Sequence, residues 1–97
     1  MPTPYINAVE LDIVPAEYEK FKAAILENAA ASVKEPGCRQ FDVHVPVDGA
    51  PTMVLYEVCD DRAAFEAHLQ RPHFFRWRDA TQGRITARRI SQLHRRR

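Results

Sequence analysis

From Tyr5 to Ile13 the odd positions carry Tyr5, Asn7, Val9, Leu11 and Ile13, while Glu10 and Asp12 take even ones. This period of two predicts a strand with one buried face. Pro15 then opens a helix, because the N–H that proline lacks would have no intrahelical partner in the first turn. Glu17 and Glu19 lie near the positive end of that helix. The helix is expected to run to about Glu35, where Pro36-Gly37 stops it. Stepping about 100° per residue from Phe21 gathers Tyr18, Ile25 and Ala29 on one stripe and places Asn28 and Ser32 on the same stripe.

Cys38 to Val45 alternates again, and Pro46-Val-Asp-Gly-Ala-Pro51 is a turn. Thr52 to Cys59 is apolar on both parities except for Glu57, so this strand should be covered on both faces. Asp60-Asp61 caps a second helix from Arg62 to about Leu69, with Phe65, His68 and Leu69 on its inner face. Pro72 breaks it, and a shorter helix from His73 to about Thr81 carries Phe74 and Trp77. Gly83 ends that helix, and Arg84 to Leu93 reads as a last strand. The order β-α-β-β-α-β, with two crossovers of the usual hand, gives an α+β ferredoxin-like domain: a four-stranded antiparallel sheet with its helices on one face. The core spans about residues 5–93 of a single domain (1–97), and residues 94–97 form a basic tail.

Composition narrows the class. A chain of 97 residues is one small domain, buries a little over ~60% of its unfolded surface and gains from a partner subunit. No apolar run approaches the ~18 residues of a membrane span, and no basic n-region with an apolar h-region opens the chain, so a cytoplasmic protein is expected. Cys38 and Cys59 form neither a disulfide framework nor a zinc motif, and the four histidines contain no HxxxH pair, so no metal is expected. Net charge is +1 but uneven: residues 1–48 hold 4 basic and 8 acidic side chains, residues 49–97 hold 10 and 5. The six arginines from Arg84 to Arg97 are not interleaved with aromatics as a stacking platform requires, so no specific nucleic-acid partner is expected. Arg95–Arg97 read as a solvated, dispensable end.

The segments Glu35-Pro-Gly-Cys-Arg-Gln-Phe-Asp-Val43, Leu55-Tyr-Glu-Val58, Phe65-Glu-Ala-His-Leu69 and Pro72-His-Phe74 resemble the antibiotic biosynthesis monooxygenase family. Within it the chain is most similar to the small quinol-monooxygenase-type proteins and to the related isomerase of the phosphorylated autoinducer-2 signal. The resemblance covers about residues 5–93. It implies a homodimer that pairs sheet to sheet, an apolar cleft between helices and sheet, and oxygenase chemistry without flavin, haem or metal. One branch of the family degrades haem with a strand Asn, a Trp and a His. Asn7 matches the first, but His68 stands at the Trp position and Trp77 near the His position, so haem is not expected and the cofactor expectation is none.

Pairing the middle strands around Asp48-Gly49 matches positions whose numbers sum to about 98. That register puts Phe41, Val43, Val45, Met53, Leu55 and Glu57 on one face, and Cys38 and Cys59 on opposite faces as separate core thiols. Glu57 is a lone acid in an apolar strand. Burial would raise its pKa and suit it to proton transfer, or it is an anchor paired with an arginine. His68 is a base or donor to substrate, or a satisfied core histidine. Asn28, Glu57 and His68 are the candidate catalytic residues. Phe41, His73, Phe74, Trp77 and Ser32 are the candidate substrate-binding residues. Three functions fit: a cofactor-free oxygenase that oxidises a quinol-like ring with O₂; an isomerase of a small phosphorylated keto-sugar, with Arg39 or Arg71 as anion clamp; or a dimeric binding protein without chemistry.

Overall fold

The alternation from Tyr5 to Ile13 becomes strand β1, with Val9, Leu11 and Ile13 buried on one face and Glu10 exposed on the other. The structure, a computed structural model, describes residues 3–96. After β1 (Tyr5–Ile13) come helix α1 (Tyr18–Ser32), strands β2 (Cys38–His44) and β3 (Thr52–Cys59), helices α2 (Arg62–His68) and α3 (Pro72–Thr81), and strand β4 (Ile85–His94). The strands form one antiparallel sheet in the order β2-β3-β1-β4, which is the expected ferredoxin-like fold. Phe21, Ile25 and Ala29 of α1 join the inward rows of the sheet, among them Leu11, Met53 and Leu55, in one core, and Trp77 of α3 packs against it. No helix among the described residues is long and apolar enough to cross a membrane.

Several boundaries differ from the sequence reading. Pro15–Glu17 is a separate 3-10 turn, and α1 ends at Ser32 rather than near Glu35. The N–H groups of Lys34 and Glu35 turn back onto the carbonyls of Ala31 and Ser32. A proline disfavours helical geometry in the residue before it, so Pro36 forces this early release. The consequence is functional, because the tightened turn leaves the Glu35 carboxylate buried. At the other end of the chain, β4 extends to His94, which pairs with Tyr5. Arg95 and Arg96 are exposed beyond it, and Arg97 lies outside the described residues.

The summed register of 98 is present from Gln40–Val58 through His44–Val54. It fails at Cys38. A bulge between Cys38 and Gln40 brings Cys38 opposite Cys59, so the two thiols are cross-strand neighbours and not on opposite faces. One extra residue in a period-2 strand reverses the facing of everything beyond it. Both cysteines are free, and burial pushes the Cys59 thiol up to about 12 and raises that of Cys38, so neither is an activated nucleophile.

Two local contacts fix the second helical region. Asp61 accepts a hydrogen bond from the Ala64 N–H at 2.8 Å and caps α2. Gly37 lies so close to Ala64 that a side chain there would collide with the Ala64 Cβ. The turn that carries Glu35 is thereby held against the helix that carries His68.

Candidate active site

Pleating turns alternate residues of β1 and β3 toward the helices, and these include two polar ones. Asn7 stands directly across from Glu57, and Glu57 across from Phe41. All three line a cavity of about 240 Å³ between sheet and helices. Ile25 and Asn28 of α1, Phe65 and His68 of α2, and Phe74 and Trp77 of α3 form its walls. Arg88, Ile90 and Gln92 of β4 form its remaining side, where Ile90 is 52% exposed.

Glu57 is only 6% exposed, and its carboxylate accepts a long hydrogen bond from Asn7 Nδ2 at 3.4 Å. Burial raises its pKa to about 7, the Asn7 bond opposes that, and the nearby Glu35 adds to it. Among the described residues no arginine pairs with Glu57, so the arginine-anchored alternative does not describe it. Its nearest basic neighbour is His68, whose Nε2 lies 3.8 Å from Glu57 Oε1.

His68 is held from behind. Its Nδ1 lies 2.8 Å from Glu35 Oε2, and His73 Nε2 reaches the same oxygen at 2.5 Å. Arg71 Nε approaches the other Glu35 oxygen at 3.6 Å. An ionised carboxylate can only accept, so both histidines donate to it. The proton of a neutral His68 therefore sits on Nδ1, and its Nε2 lone pair is left toward Glu57. Phe41, Phe65 and Phe74 surround the His68 ring with centroids 6.0, 6.3 and 5.6 Å away. The aromatic surroundings lower the local dielectric, and charge is felt strongly there.

Of the residues singled out in the sequence, Asn28, Glu57, His68, Phe41, Phe74 and Trp77 converge on the cavity. His73 and Ser32 do not line it. His73 stands behind His68 on Glu35 and lines a much smaller hollow beside α1. Ser32 is fully buried, and its hydroxyl donates to the Asn28 carbonyl at 2.7 Å. Arg39 and Arg71 are committed to Asp60 and Glu35 respectively, and neither lines the cavity. Sequence reasoning missed Asn7, Glu35 and Arg88 as site residues. Asn7 carried a usable signal, since an amide in an inward row needs a partner as Asn28 does.

Four buried polar atoms have no hydrogen-bond partner among the described residues: Asn7 Oδ1, Asn28 Oδ1, Trp77 Nε1 and Arg71 Nε, the last lying 3.6 Å from Glu35 Oε1. The first three of these residues line the cavity, and an unmet buried group costs about 1–3 kcal/mol. Glu35, His68 and His73 also place donor atoms within 4.8 Å of one another, the kind of group that a metal ion uses, although no metal was expected from the sequence. Here those atoms are joined to each other by hydrogen bonds, with a guanidinium beside them. The arrangement has the groups to take a proton from a bound molecule near neutral pH and to hydrogen-bond the resulting anion in a largely apolar cavity.

The isomerase of (4S)-4-hydroxy-5-phosphonooxypentane-2,3-dione from Klebsiella pneumoniae is 29% identical to this chain over 69 residues, 71% of this chain and 70% of that protein. A Nitrosomonas europaea protein described under the name antibiotic biosynthesis monooxygenase superposes with a TM-score of 0.92 at 27% identity, covering 99% of this chain and 93% of that one. A Pseudomonas aeruginosa protein superposes at 0.91, also with 27% identity, over 98% of this chain and 96% of its own. The sequence model of antibiotic biosynthesis monooxygenases matches residues 4–80, from β1 through α3, and so takes in every helix that walls the cavity. The chain belongs to the antibiotic biosynthesis monooxygenase family.

Proposed function

We propose that this protein is a cofactor-independent monooxygenase that oxidises a small, electron-rich, quinol-like aromatic with O₂. The observation that carries the reading is a buried carboxylate with a pKa of about 7 at the base of an aromatic-walled cavity. The ionised Glu57 takes a phenolic proton, helped by His68 Nε2. The phenolate then gives electrons to O₂, a new ring C–O bond forms, the ring hydrogen is lost and the second oxygen atom leaves as water. A quinol and O₂ thus become a hydroxyquinone and water. Atoms and electrons balance with the substrate as the sole reductant. Asn28, and the Asn7–Glu57 pair once protonated, offer hydrogen bonds to the anion.

The test is an oxygen electrode with a naphthoquinol, without added flavin, haem or metal and with a chelator present. One O₂ consumed per hydroxyquinone formed is expected, at a rate well above the uncatalysed one. Uptake no faster than the buffer control overturns the reading.

The Klebsiella relative favours a second reading, isomerisation of a small phosphorylated keto-sugar. Acid–base groups are available for it, but Arg39 and Arg71 are engaged elsewhere. The one cation on the cavity wall is Arg88, and the rest of the wall is largely apolar with the acidic Glu57. Conversion of such a substrate with no O₂ uptake would identify this activity. Ligand binding without turnover of either substrate would identify a binding module.

We also propose that the active form is a homodimer joined through the sheet face that carries no helix. Ala8 and Tyr56 are half-buried there, while Val54 and Leu93 remain 40% and 46% exposed. Sedimentation equilibrium at micromolar concentration should give twice the 11.2 kDa chain mass, and a stable monomer would exclude the dimer.

A further inference from the structure

Arg88 pairs with Leu11 in the sheet, and directly opposed antiparallel residues share a face, so Arg88 is on the cavity side of β4. It is the only lysine or arginine among the cavity-lining residues. The neighbouring arginines are neutralised: Arg84 pairs with Glu17, and Arg89 with Glu10 and Asp12. Among the described residues, no carboxylate lies within salt-bridge distance of Arg88. A second hollow of about 480 Å³ adjoins the cavity, and Phe74, Trp77 and Arg88 form the wall shared by the two. Trp77 has a partnerless indole N–H, so this wall holds two groups that can only donate hydrogen bonds.

We infer that Arg88 is a specificity-determining anion subsite, and that the ring bound in the cavity carries a carboxylate directed to the junction of the two hollows. This rests on the aromatic-substrate reading above. The opposite ends of the site then have opposite tasks. Glu57 and His68 meet the ring hydroxyl, and the planar guanidinium meets the carboxylate with two parallel N–H donors. A carboxylate placed at the Glu57 end would meet like charge, so Arg88 also fixes which way round the ring enters. A neutral ring would leave the guanidinium to solvent and gain nothing from it.

The experiment is calorimetric titration of wild type and Arg88→Gln with two probes that share a ring system, 1-naphthol and 5-hydroxy-1-naphthoate, whose hydroxyl and carboxylate lie at opposite ends of the ring system. Arg88 is exposed, so glutamine is accommodated without disturbing the core, and Arg88→Lys serves as the charge-retaining control. Wild type should bind the acid about tenfold tighter than the naphthol, the preference of a charge-assisted hydrogen bond. Arg88→Gln should bring the acid down to the naphthol's affinity and leave the naphthol unchanged, and Arg88→Lys should restore part of the preference. Naphthol binding with no preference for the acid, or an equal loss of both ligands in Arg88→Gln, overturns the subsite and leaves the aromatic reading standing. Failure of wild type to bind either probe overturns both.

Discussion

Glu57→Gln is expected to abolish turnover and, at pH 8, to make the protein more stable than wild type by about 3 kcal/mol. The folded pKa of about 7 exceeds the ordinary value of 4.5 because burial disfavours the carboxylate. Between those two values the native chain holds a proton that the unfolded chain has released. Wild-type stability therefore falls as pH rises from about 4.5 to about 7 and levels off above that. Glutamine is isosteric and uncharged. Its carbonyl oxygen can still accept from Asn7, and its amide can donate toward His68 Nε2. Urea unfolding at pH 5 should barely separate the two proteins, and at pH 8 should separate them clearly. A wild-type stability that is flat over this range would show that Glu57 is not perturbed. In the wild type, turnover should rise with pH through about 7 as the base ionises.

Glu35→Ala should act in the opposite direction and destabilise the fold by about 3–5 kcal/mol, the usual cost of removing one member of a buried charged cluster. His68 Nδ1 and His73 Nε2 would lose their shared acceptor, and Arg71 its counter-charge. Glu35→Gln keeps one carbonyl acceptor and should cost distinctly less. Its effect on turnover should nevertheless be large, because an amide can donate as well as accept and no longer holds the His68 proton on Nδ1. A shift of the denaturant midpoint at unchanged slope is the measurement for both variants. Equal stability of Glu35→Ala and wild type would show that the cluster contributes nothing to the fold. The same contacts separate His68 from Glu57. Replacing His68 with leucine removes one of the donors to the buried Glu35 carboxylate and should lower stability, whereas Glu57 is a residue the fold tolerates at a cost.

The strands and helices were legible because each is a local pattern. Leu11 and Ile13 alternate with polar neighbours, Phe21 and Ile25 recur at helical spacing, and Pro72 interrupts the second helical region wherever it lies in space. Asn28, Glu57 and His68 stood out for the same reason, since each breaks an apolar row or stripe that physics would otherwise fill with hydrocarbon. Glu35 gave no such signal. It lies where the helix was expected to stop, and a carboxylate before Pro-Gly reads as a solvated helix end. Its burial depends on α1 releasing at Ser32 and on the turn being clamped by the Gly37–Ala64 contact. The facing of Cys38 toward Cys59 was illegible too, because a bulge is a one-residue event that leaves composition and periodicity almost unchanged.

Element order, the inward rows and the presence of polar groups in those rows are all readable from the chain alone. These follow from which side of each element avoids water, and that is decided over spans of a few residues. Which polar groups meet is settled by long-range packing. Glu57 and His68 are joined to Asn7 and Glu35 by contacts spanning 50 and 33 positions, and Arg88 reaches the same cavity from a strand whose arginines look alike in sequence. Which arginine is paired and which faces the cavity depends on sheet register. A shift of one residue would exchange Arg88 with Arg89, and that register is set by the packing of β4 against β1 rather than by anything local to the arginines.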